Sequence, residues 1–176
     1  SLNNIVAKLL SIRKKNIEDV ALFLNPTIKN LLPNPSILKD MNKATDRTFE
    51  CIKNHEMFGI FGDYDVDGAT STALLKLYFS SIKQKVSTYI PDRKKEGYGP
   101  SKEGFYNLIS LGSKIIFTVD CGTLSFEPIK IAQNKKVDII VLDHHQSDVK
   151  IPNACAVVNP NRYDDTSKLN YLCAAG

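Results

Sequence analysis

The sequence is poor in cysteine and has no long apolar segment. Its four cysteines lie far apart, and no two of them form a C-x-x-C pair. This spacing favours reduced thiols over a disulfide or zinc framework. No apolar stretch approaches the ~20 residues that a membrane-spanning helix needs, and the first residues show no signal-peptide pattern. We therefore expect a cytoplasmic protein without a membrane partner.

A strong excess of one charge is also missing. The net charge is +4 over 176 residues, which by itself is a weak argument for nucleic-acid binding. Basic residues are concentrated between positions 83 and 102, where six of them accompany two acids, with a third acid at 103, together with Tyr98 and two glycines. Such a run is either an ordinary solvated face or a phosphate-binding segment, and its composition leaves both readings open.

The order of apolar patterns predicts an α/β fold with a helical N-terminal extension at residues 1–55. Within the extension, a helix over residues 16–24 is stopped by Pro26, and Ser36 is expected to cap a second helix. From Met57, short apolar strands alternate with helical patterns, which indicates a mostly parallel five-stranded sheet flanked by helices. The predicted strands are 57–61, 86–90, 114–119, 138–142 and 154–158, and the predicted helices are 69–82, 101–109 and 126–134.

Acidic residues follow three of these predicted strands directly. Asp63, Asp65 and Asp67 follow the first, Asp120 follows the third, and residues 143–145 (Asp-His-His) follow the fourth. The carboxyl ends of parallel strands share one edge of the sheet, so these side chains are expected to converge. Like charges so close together need a cation or shared protons, and carboxylates with imidazole suit Mg²⁺ or Mn²⁺.

Each cluster also has a simpler reading. The D-x-D-x-D-G run resembles the start of a calcium loop, but position 12 of that loop would be Leu74 instead of glutamate. We expect its three aspartates on one side of an extended strand end, with Gly68 turning into a helix near Ala69. Asp120 alone would be an ordinary turn residue, and its assignment depends on the other clusters.

Together these residues resemble a known family. Gly62-Asp-Tyr-Asp-Val-Asp-Gly68, the isolated Asp120 and Asp143-His-His145 look like the first three motifs of the DHH phosphoesterase superfamily. The resemblance is closer still to its RecJ branch, single-stranded-DNA exonucleases, and covers about residue 20 to the end. The segments that carry it are Phe23-Leu-Asn-Pro26, Asp40-Met41, Tyr89-Ile-Pro-Asp-Arg93, Glu96-Gly-Tyr-Gly99 with Ser101, and Val158-Asn-Pro160.

The resemblance implies a role for each motif residue. One or two Mn²⁺ or Mg²⁺ ions are expected at the metal ligands, while His145 contacts the scissile phosphate and Asp143 orients the histidine pair. Asp63 is assigned to the catalytic group beside the metal ligands. Phe61 stands where pyrophosphatase-like relatives have histidine, which implies a weaker metal site or one without that nitrogen ligand. The implied metal ligands are Asp65, Asp67, Asp120 and His144, and the implied substrate-binding residues are Arg93, Tyr98 and Gly122.

The implied activity is 5′–3′ exonucleolytic hydrolysis of single-stranded DNA in recombination and repair. Residues 56–176 would form the DHH catalytic domain. The fourth motif and a second domain would lie beyond Gly176, so we expect the chain by itself to be weakly active or inactive. Two alternatives stay open: an oligonucleotide or cyclic-dinucleotide phosphodiesterase of the same superfamily, and a non-catalytic scaffold that binds nucleic acid. Single-stranded DNA is the implied partner; a single-stranded-DNA-binding protein and a helicase are candidate protein partners.

Overall fold

The computed structural model describes residues 2–176 and divides into two compact units. The first unit ends at Asn34 and contains helices α1 (Asn4–Ile12), α2 (Ile17–Leu24) and α3 (Ile28–Leu31). Asn3 and Thr27 cap α1 and α3, because each side chain accepts a hydrogen bond from a backbone N–H that has no partner within the helix. Helix α2 ends just before Pro26, as the sequence predicted.

The second unit, Pro35–Gly176, contains the sheet. A short 3₁₀ turn (Pro35–Ile37) precedes its first helix. The remaining elements, in chain order, are α4 (Met41–Lys53), β1 (Met57–Gly62), α5 (Val66–Ser81), β2 (Val86–Tyr89), α6 (Arg93–Glu96), α7 (Lys102–Ser110), β3 (Ser113–Val119), α8 (Phe126–Asn134), β4 (Asp138–Leu142) and β5 (Ala156–Val158).

Within the described residues the strands form one five-stranded sheet in the order β2-β1-β3-β4-β5, and every neighbouring pair is parallel. The predicted α/β fold class is therefore confirmed. Strands β1, β3 and β4 are consecutive neighbours, so their carboxyl ends lie side by side at one edge. Sequence order alone does not give this adjacency, because β2 lies between β1 and β3 in the chain but at the rim of the sheet.

Helices cover both faces of the sheet with apolar side chains. On one face Phe58 stacks on Phe79 of α5 with ring centroids 4.0 Å apart, and Cys51 of α4 is buried beside them. On the other face Phe61 meets Phe105 of α7 edge to face at 5.8 Å. Each fully buried ring of this kind contributes about 1.5–3 kcal/mol relative to an exposed one. The two layers hold the strands rigidly below their carboxyl edge.

The start of α4 differs from the prediction. The helix begins at Met41 and its N-cap residue is Asp40 in the left-handed conformation (φ 61°), so the prediction that Ser36 caps it is wrong. The Asp40 carboxylate accepts hydrogen bonds from Val157 N–H (3.2 Å) and Arg162 Nη1 (2.7 Å). These bonds tie the helix start to β5. Helix α4 thus lies in the compact unit that contains the sheet.

In residues 2–176, every helix is too short or too polar to cross a membrane.

Candidate metal centre

The aspartates that follow β1, β3 and β4 are held by one repeated backbone contact. Asp63, Asp120 and Asp143 each donate the backbone N–H to the carbonyl oxygen of the last residue in the next strand of the sheet, at 3.3, 2.9 and 3.1 Å respectively. Each residue therefore extends the ladder by one step before the chain turns away. The accepting residues are Val119, Leu142 and Val158.

The D-x-D-x-D-G segment bends instead of continuing the strand. Helix α5 begins at Val66, and Asp65 is its N-cap, accepting a 3.0 Å hydrogen bond from Gly68 N–H. The predicted extended arrangement and the predicted helix start near Ala69 are therefore wrong. Gly68 lies inside the first helical turn, where a Cβ atom would be 2.5 Å from the carbonyl oxygen of Asp63. Close approach of two backbone segments explains this glycine.

Asp120 is the buried centre of the site. Its backbone is left-handed (φ 61°), a conformation that aspartate tolerates better than most residues. Its side chain is 1% exposed, and neither carboxylate oxygen makes a hydrogen bond of regular geometry, although His144 Nε2 lies close to Oδ1. Burial, and after it the carboxylates of Asp65 and Asp67, raise the pKa of Asp120 to about 7. A buried carboxylate without a regular hydrogen bond is a group that a cation would stabilise.

The Asp143-His144-His145 segment turns its two imidazoles in different directions. His144 Nε2 lies 3.1 Å from Asp120 Oδ1 and 3.5 Å from Asp67 Oδ2. His145 Nδ1 instead lies 2.8 Å from Asp143 Oδ1, which also accepts the backbone N–H groups of both histidines. Burial would raise the pKa of Asp143, but hydrogen bonds from Thr123 and His145 outweigh it and hold the pKa below its usual value. Asp143 is thus an ionised anchor for this turn.

Two groups of side chains have the spacing of a metal site. One is Asp63, Asp65 and Asp120; the other is Asp120, His144 and His145; within each group the potential ligand atoms lie within 4.8 Å of one another. Asp120 belongs to both groups. Oxygen ligands with imidazole match Mg²⁺ or Mn²⁺, and the bare Asp120 oxygens leave lone pairs available, so the residues present fit such an ion.

Asp67 is placed differently from the other predicted ligands. Its two carboxylate oxygens accept hydrogen bonds from the backbone N–H groups of Ala174 and Ala175, both at 2.8 Å. It nevertheless faces His144, as noted above, at the border of the cluster. The structure thus brings Asp67 next to the other ligands and also uses it to anchor residues 174–175.

The predicted substrate-binding residues surround the cluster. Tyr98 is 56% exposed, and its hydroxyl lies 3.3 Å from the carbonyl oxygen of Asp120 and 3.1 Å from His145 Nδ1. Gly122 (φ 114°) lines a pocket of about 560 Å³ that Tyr98 and His145 also line. The guanidinium of Arg93 lies over the ring of Tyr64, 5.1 Å from its centroid. The charge of Arg93 reaches the acidic cluster, because it opposes the rise in the pKa of Asp63 that burial causes.

Glu96 organises the loop that carries Arg93 and Tyr98. Its carboxylate accepts hydrogen bonds from Tyr89 Oη (2.9 Å), Asp92 N–H (3.0 Å) and Ser101 Oγ (2.7 Å). Burial would raise the pKa of Glu96, but these bonds outweigh it and lower the pKa. The carboxylate therefore stays ionised and fixes both ends of the loop.

Sequence reasoning assigned no role to several residues that support the site. Asn159 directly follows β5, as Asp63, Asp120 and Asp143 follow their strands. Its position after a predicted strand is the signal in the sequence that could have identified it as part of the site. Its side chain bonds Thr123, which in turn bonds Asp143. Thr123 is far from Asn159 in sequence, so no local pattern links the two.

Comparison with known proteins places this site in a family. The sequence profile of the DHH family, N-terminal domain, matches residues 57–176. The chain belongs to the DHH family. The matched region starts at β1 and includes every strand and every residue of the candidate centre, so the family match and the acidic sheet edge coincide.

This DHH chain is similar to named exonucleases. It is 36% identical over 143 residues to the single-stranded-DNA-specific exonuclease RecJ of Bacillus subtilis, covering 81% of this chain and 18% of that protein. It is 33% identical over 154 residues to RecJ of Escherichia coli, covering 87% of this chain and 26% of that protein. The chain thus spans about a quarter or less of these relatives.

Solved structures show the same fold. A crystal structure of exonuclease RecJ bound to manganese superposes with a TM-score of 0.71 at 30% identity, covering 79% of this chain and 35% of that one. RecJ of Thermus thermophilus in complex with Mn²⁺ gives a TM-score of 0.65 at 27% identity, covering 79% of this chain and 19% of that one.

Proposed function

We propose that the whole protein hydrolyses phosphodiester bonds of single-stranded DNA from the 5′ end, with Mn²⁺ or Mg²⁺ as cofactor. The observation that carries the proposal is Asp120, buried without a regular hydrogen bond and shared by two groups of potential ligands. The relatives support the substrate and the metal, because they are single-stranded-DNA exonucleases and two solved ones hold manganese. Residues 56–176 would be the catalytic domain.

Five residues of the chain would hold one or two cations. When bound, a divalent cation neutralises charge on the phosphodiester and lowers the pKa of the attacking water. Asp120, which belongs to both groups of potential ligands, would hold a cation through its carboxylate, and His144 would do so through its Nε2 atom. The other proposed ligands are Asp63, Asp65 and Asp67.

His145 would contact the scissile phosphate. Burial would lower the pKa of His145, but the hydrogen bond and the charge of Asp143 outweigh it and raise the pKa. The imidazolium form is thereby favoured, and a cation at this position would hold a phosphate and stabilise the negative charge that develops during attack. Asp143 would keep the ring oriented through its Nδ1 atom.

Arg93, Tyr98 and Gly122 would form the substrate-binding side of the site. Arginine can hold a terminal phosphate with two parallel hydrogen bonds, and the exposed ring of Tyr98 can stack on an unpaired base. Stacking on a single base face favours single strands over duplex. We also propose a cytoplasmic location and a role in recombination and repair, where a single-stranded-DNA-binding protein or a helicase would be the protein partner.

Asp120→Asn in the whole protein tests the proposal, with Asp46→Asn on the exposed side of α4 as control. Asparagine tolerates the left-handed backbone, so the fold should survive. We expect Asp120→Asn to lower Mn²⁺-dependent digestion of 5′-labelled single strands by at least about 100-fold and to weaken Mn²⁺ binding in calorimetry. Digestion within about 3-fold of the control, or a strict preference for dinucleotides or duplex, would contradict it.

A further inference from the structure

A buried asparagine stands at the end of β5, in line with the strand-end aspartates. Asn159 has no exposed surface. Its Nδ2 atom donates to the backbone carbonyl of His145 and to Thr123 Oγ1, both at 2.9 Å, and its Oδ1 atom accepts from Asn161 N–H at 2.8 Å. Three hydrogen bonds from one buried amide use nearly its whole capacity.

The partners of Asn159 leave its side chain a single orientation. A carbonyl oxygen can only accept and a backbone N–H can only donate, so Nδ2 must face His145 and Oδ1 must face Asn161. Thr123 Oγ1 then accepts from Asn159, which leaves the threonine hydroxyl proton free to donate. The acceptor beside it is the carboxylate of Asp143, whose Oδ2 atom also accepts the Thr123 backbone N–H at 3.0 Å.

A second arm reaches the other histidine. Asn161, whose backbone N–H is held by Asn159, donates from Nδ2 to the backbone carbonyl of His144. The carbonyl groups of both histidines are thus bound by two side chains from the segment after β5. On the opposite side of the turn, Asp143 Oδ1 accepts the backbone N–H of both histidines. The backbone of residues 144–145 is therefore held through both its N–H groups and its carbonyl groups.

We propose that Asn159 is a positioning residue that sets the orientation of the His145 ring through Thr123 and Asp143. It acts without touching the substrate, and this role rests on the proposed function of His145 as the phosphate contact. Hydrogen-bond partners behind the groups that bind a metal or substrate typically change affinity or rate by about 10–100-fold when removed. A purely structural asparagine would instead change stability and leave the kinetic constants of the folded protein alone.

Asn159→Asp in the whole protein is the first test, with Asn153→Asp on the exposed loop before β5 as the matched control. The substitution keeps the shape but replaces the donating amide by a carboxylate facing the His145 carbonyl. At saturating Mn²⁺ we expect kcat to fall about 10–100-fold while KM for single-stranded DNA changes less than about 3-fold. The control should match wild type.

Thr123 gives a second test if Asn159→Asp fails to fold. Thr123→Val is nearly isosteric and keeps the backbone bond to Asp143 but removes the hydroxyl. We expect it to lower kcat about 10-fold or more, and Thr123→Ser, which restores the hydroxyl, to recover most of that loss. Values of kcat within about 3-fold of wild type for Asn159→Asp and Thr123→Val together would overturn the proposal.

A readout without catalysis separates this proposal from the proposed function. ¹⁵N-histidine NMR of the metal-free protein reports which ring nitrogen of His145 carries the proton, with His145→Gln identifying its signals. At a pH above the His145 pKa, where the ring is neutral, we expect one tautomer, protonated at Nδ1, in wild type and a mixture in Thr123→Val. If the wild-type protein does not cut DNA, the proposed function fails, and the spectrum alone then tests the positioning role of Asn159. Identical His145 signals in wild type and Thr123→Val would refute that role.

Discussion

At the scale of single residues, the site depends on backbone positions that few side chains can occupy. Asp120 is left-handed, and its N–H completes the ladder to β4 while its carboxylate makes no hydrogen bond of regular geometry. Strained or unsatisfied groups of this kind persist where the surrounding structure holds them in place, and they concentrate at functional sites. The two apolar layers on either side of the sheet provide that support.

Gly68 is another backbone position that few side chains can occupy, and stability measurements can test this. Replacing a glycine within a helix by alanine normally stabilises a protein by up to about 1 kcal/mol. At Gly68 the new Cβ atom would lie 2.5 Å from the Asp63 carbonyl oxygen, so the backbone after β1 must shift. We expect Gly68→Ala to lower the free energy of unfolding by about 1–3 kcal/mol in denaturant titrations. Ser80→Ala, on the exposed face of α5, is the control, and a stabilised Gly68→Ala variant would contradict the close approach.

At the scale of elements, loops and helices are joined by hydrogen bonds of a few charged side chains. Glu96 closes the loop between β2 and α7, and Arg47 of α4 joins Glu56, just before β1, to Asp138 of β4 at 2.8 and 2.6 Å. Each of these groups links segments that are separate in the chain. Their loss should change local order or pH dependence without changing the fold.

For the loop, we expect Glu96→Gln to loosen residues 92–101. The new amide nitrogen cannot accept, so at least one of the three donors loses its partner. Limited trypsin digestion after Arg93, Lys94 or Lys95 should become about 10-fold faster, and KM for single-stranded DNA should rise more than kcat falls. Glu103→Gln, exposed on α7, is the control and should behave like wild type. Equal trypsin cleavage rates in the two variants would contradict the conclusion that Glu96 fixes both ends of the loop.

For the α4 contact, the stability effect should depend on pH. Burial would raise the pKa of Glu56, but the hydrogen bond and charge of Arg47 outweigh it and lower the pKa below its usual 4.5. A lowered pKa stabilises the fold above the unfolded-state value, and this gain disappears as the pH falls through the folded-state value. Glu56→Gln should therefore cost about 1–2 kcal/mol near pH 7 and progressively less below about pH 4.5. Urea titrations across this pH range measure the free energy of unfolding, with the exposed Glu50→Gln as control. A difference between wild type and Glu56→Gln that does not change with pH would contradict the prediction.

At the scale of the whole molecule, every proposed ligand and every strand lies in the unit Pro35–Gly176. Removing residues 1–34 is therefore expected to leave the Mn²⁺ affinity within about 3-fold of the intact chain, because no ligand is lost. Isothermal calorimetry on both proteins measures this. A loss of more than about 10-fold would show that the first unit takes part in forming the site.

The sequence predicted the sheet and the convergence of acids better than it predicted the turns. Strand β4 and helix α8 have the predicted bounds, because buried apolar runs and a proline in the first turn are local signals. The start of α4 was missed because Asp40 is bound by distant partners, Val157 and Arg162, and the start of α5 was missed because Asp65 ends the extended segment as an N-cap. The link from Asn159 to Thr123 joins residues 36 positions apart, so it became visible only in three dimensions.

Because of the repeated strand-end contact, the spacing between strands sets the spacing of the aspartate backbones in the site. Because β1, β3 and β4 are neighbours, the backbones of Asp63, Asp120 and Asp143 are spaced by the distance between strands, about 4.8 Å. With that spacing fixed, side-chain length and rotamer set the gap between carboxylates. Every carboxylate in the cluster is aspartate and none is glutamate. The shorter side chain fits backbone positions that lie only one strand spacing apart. An extra methylene at any one of these positions would push its carboxylate past the centre that the neighbouring strands define.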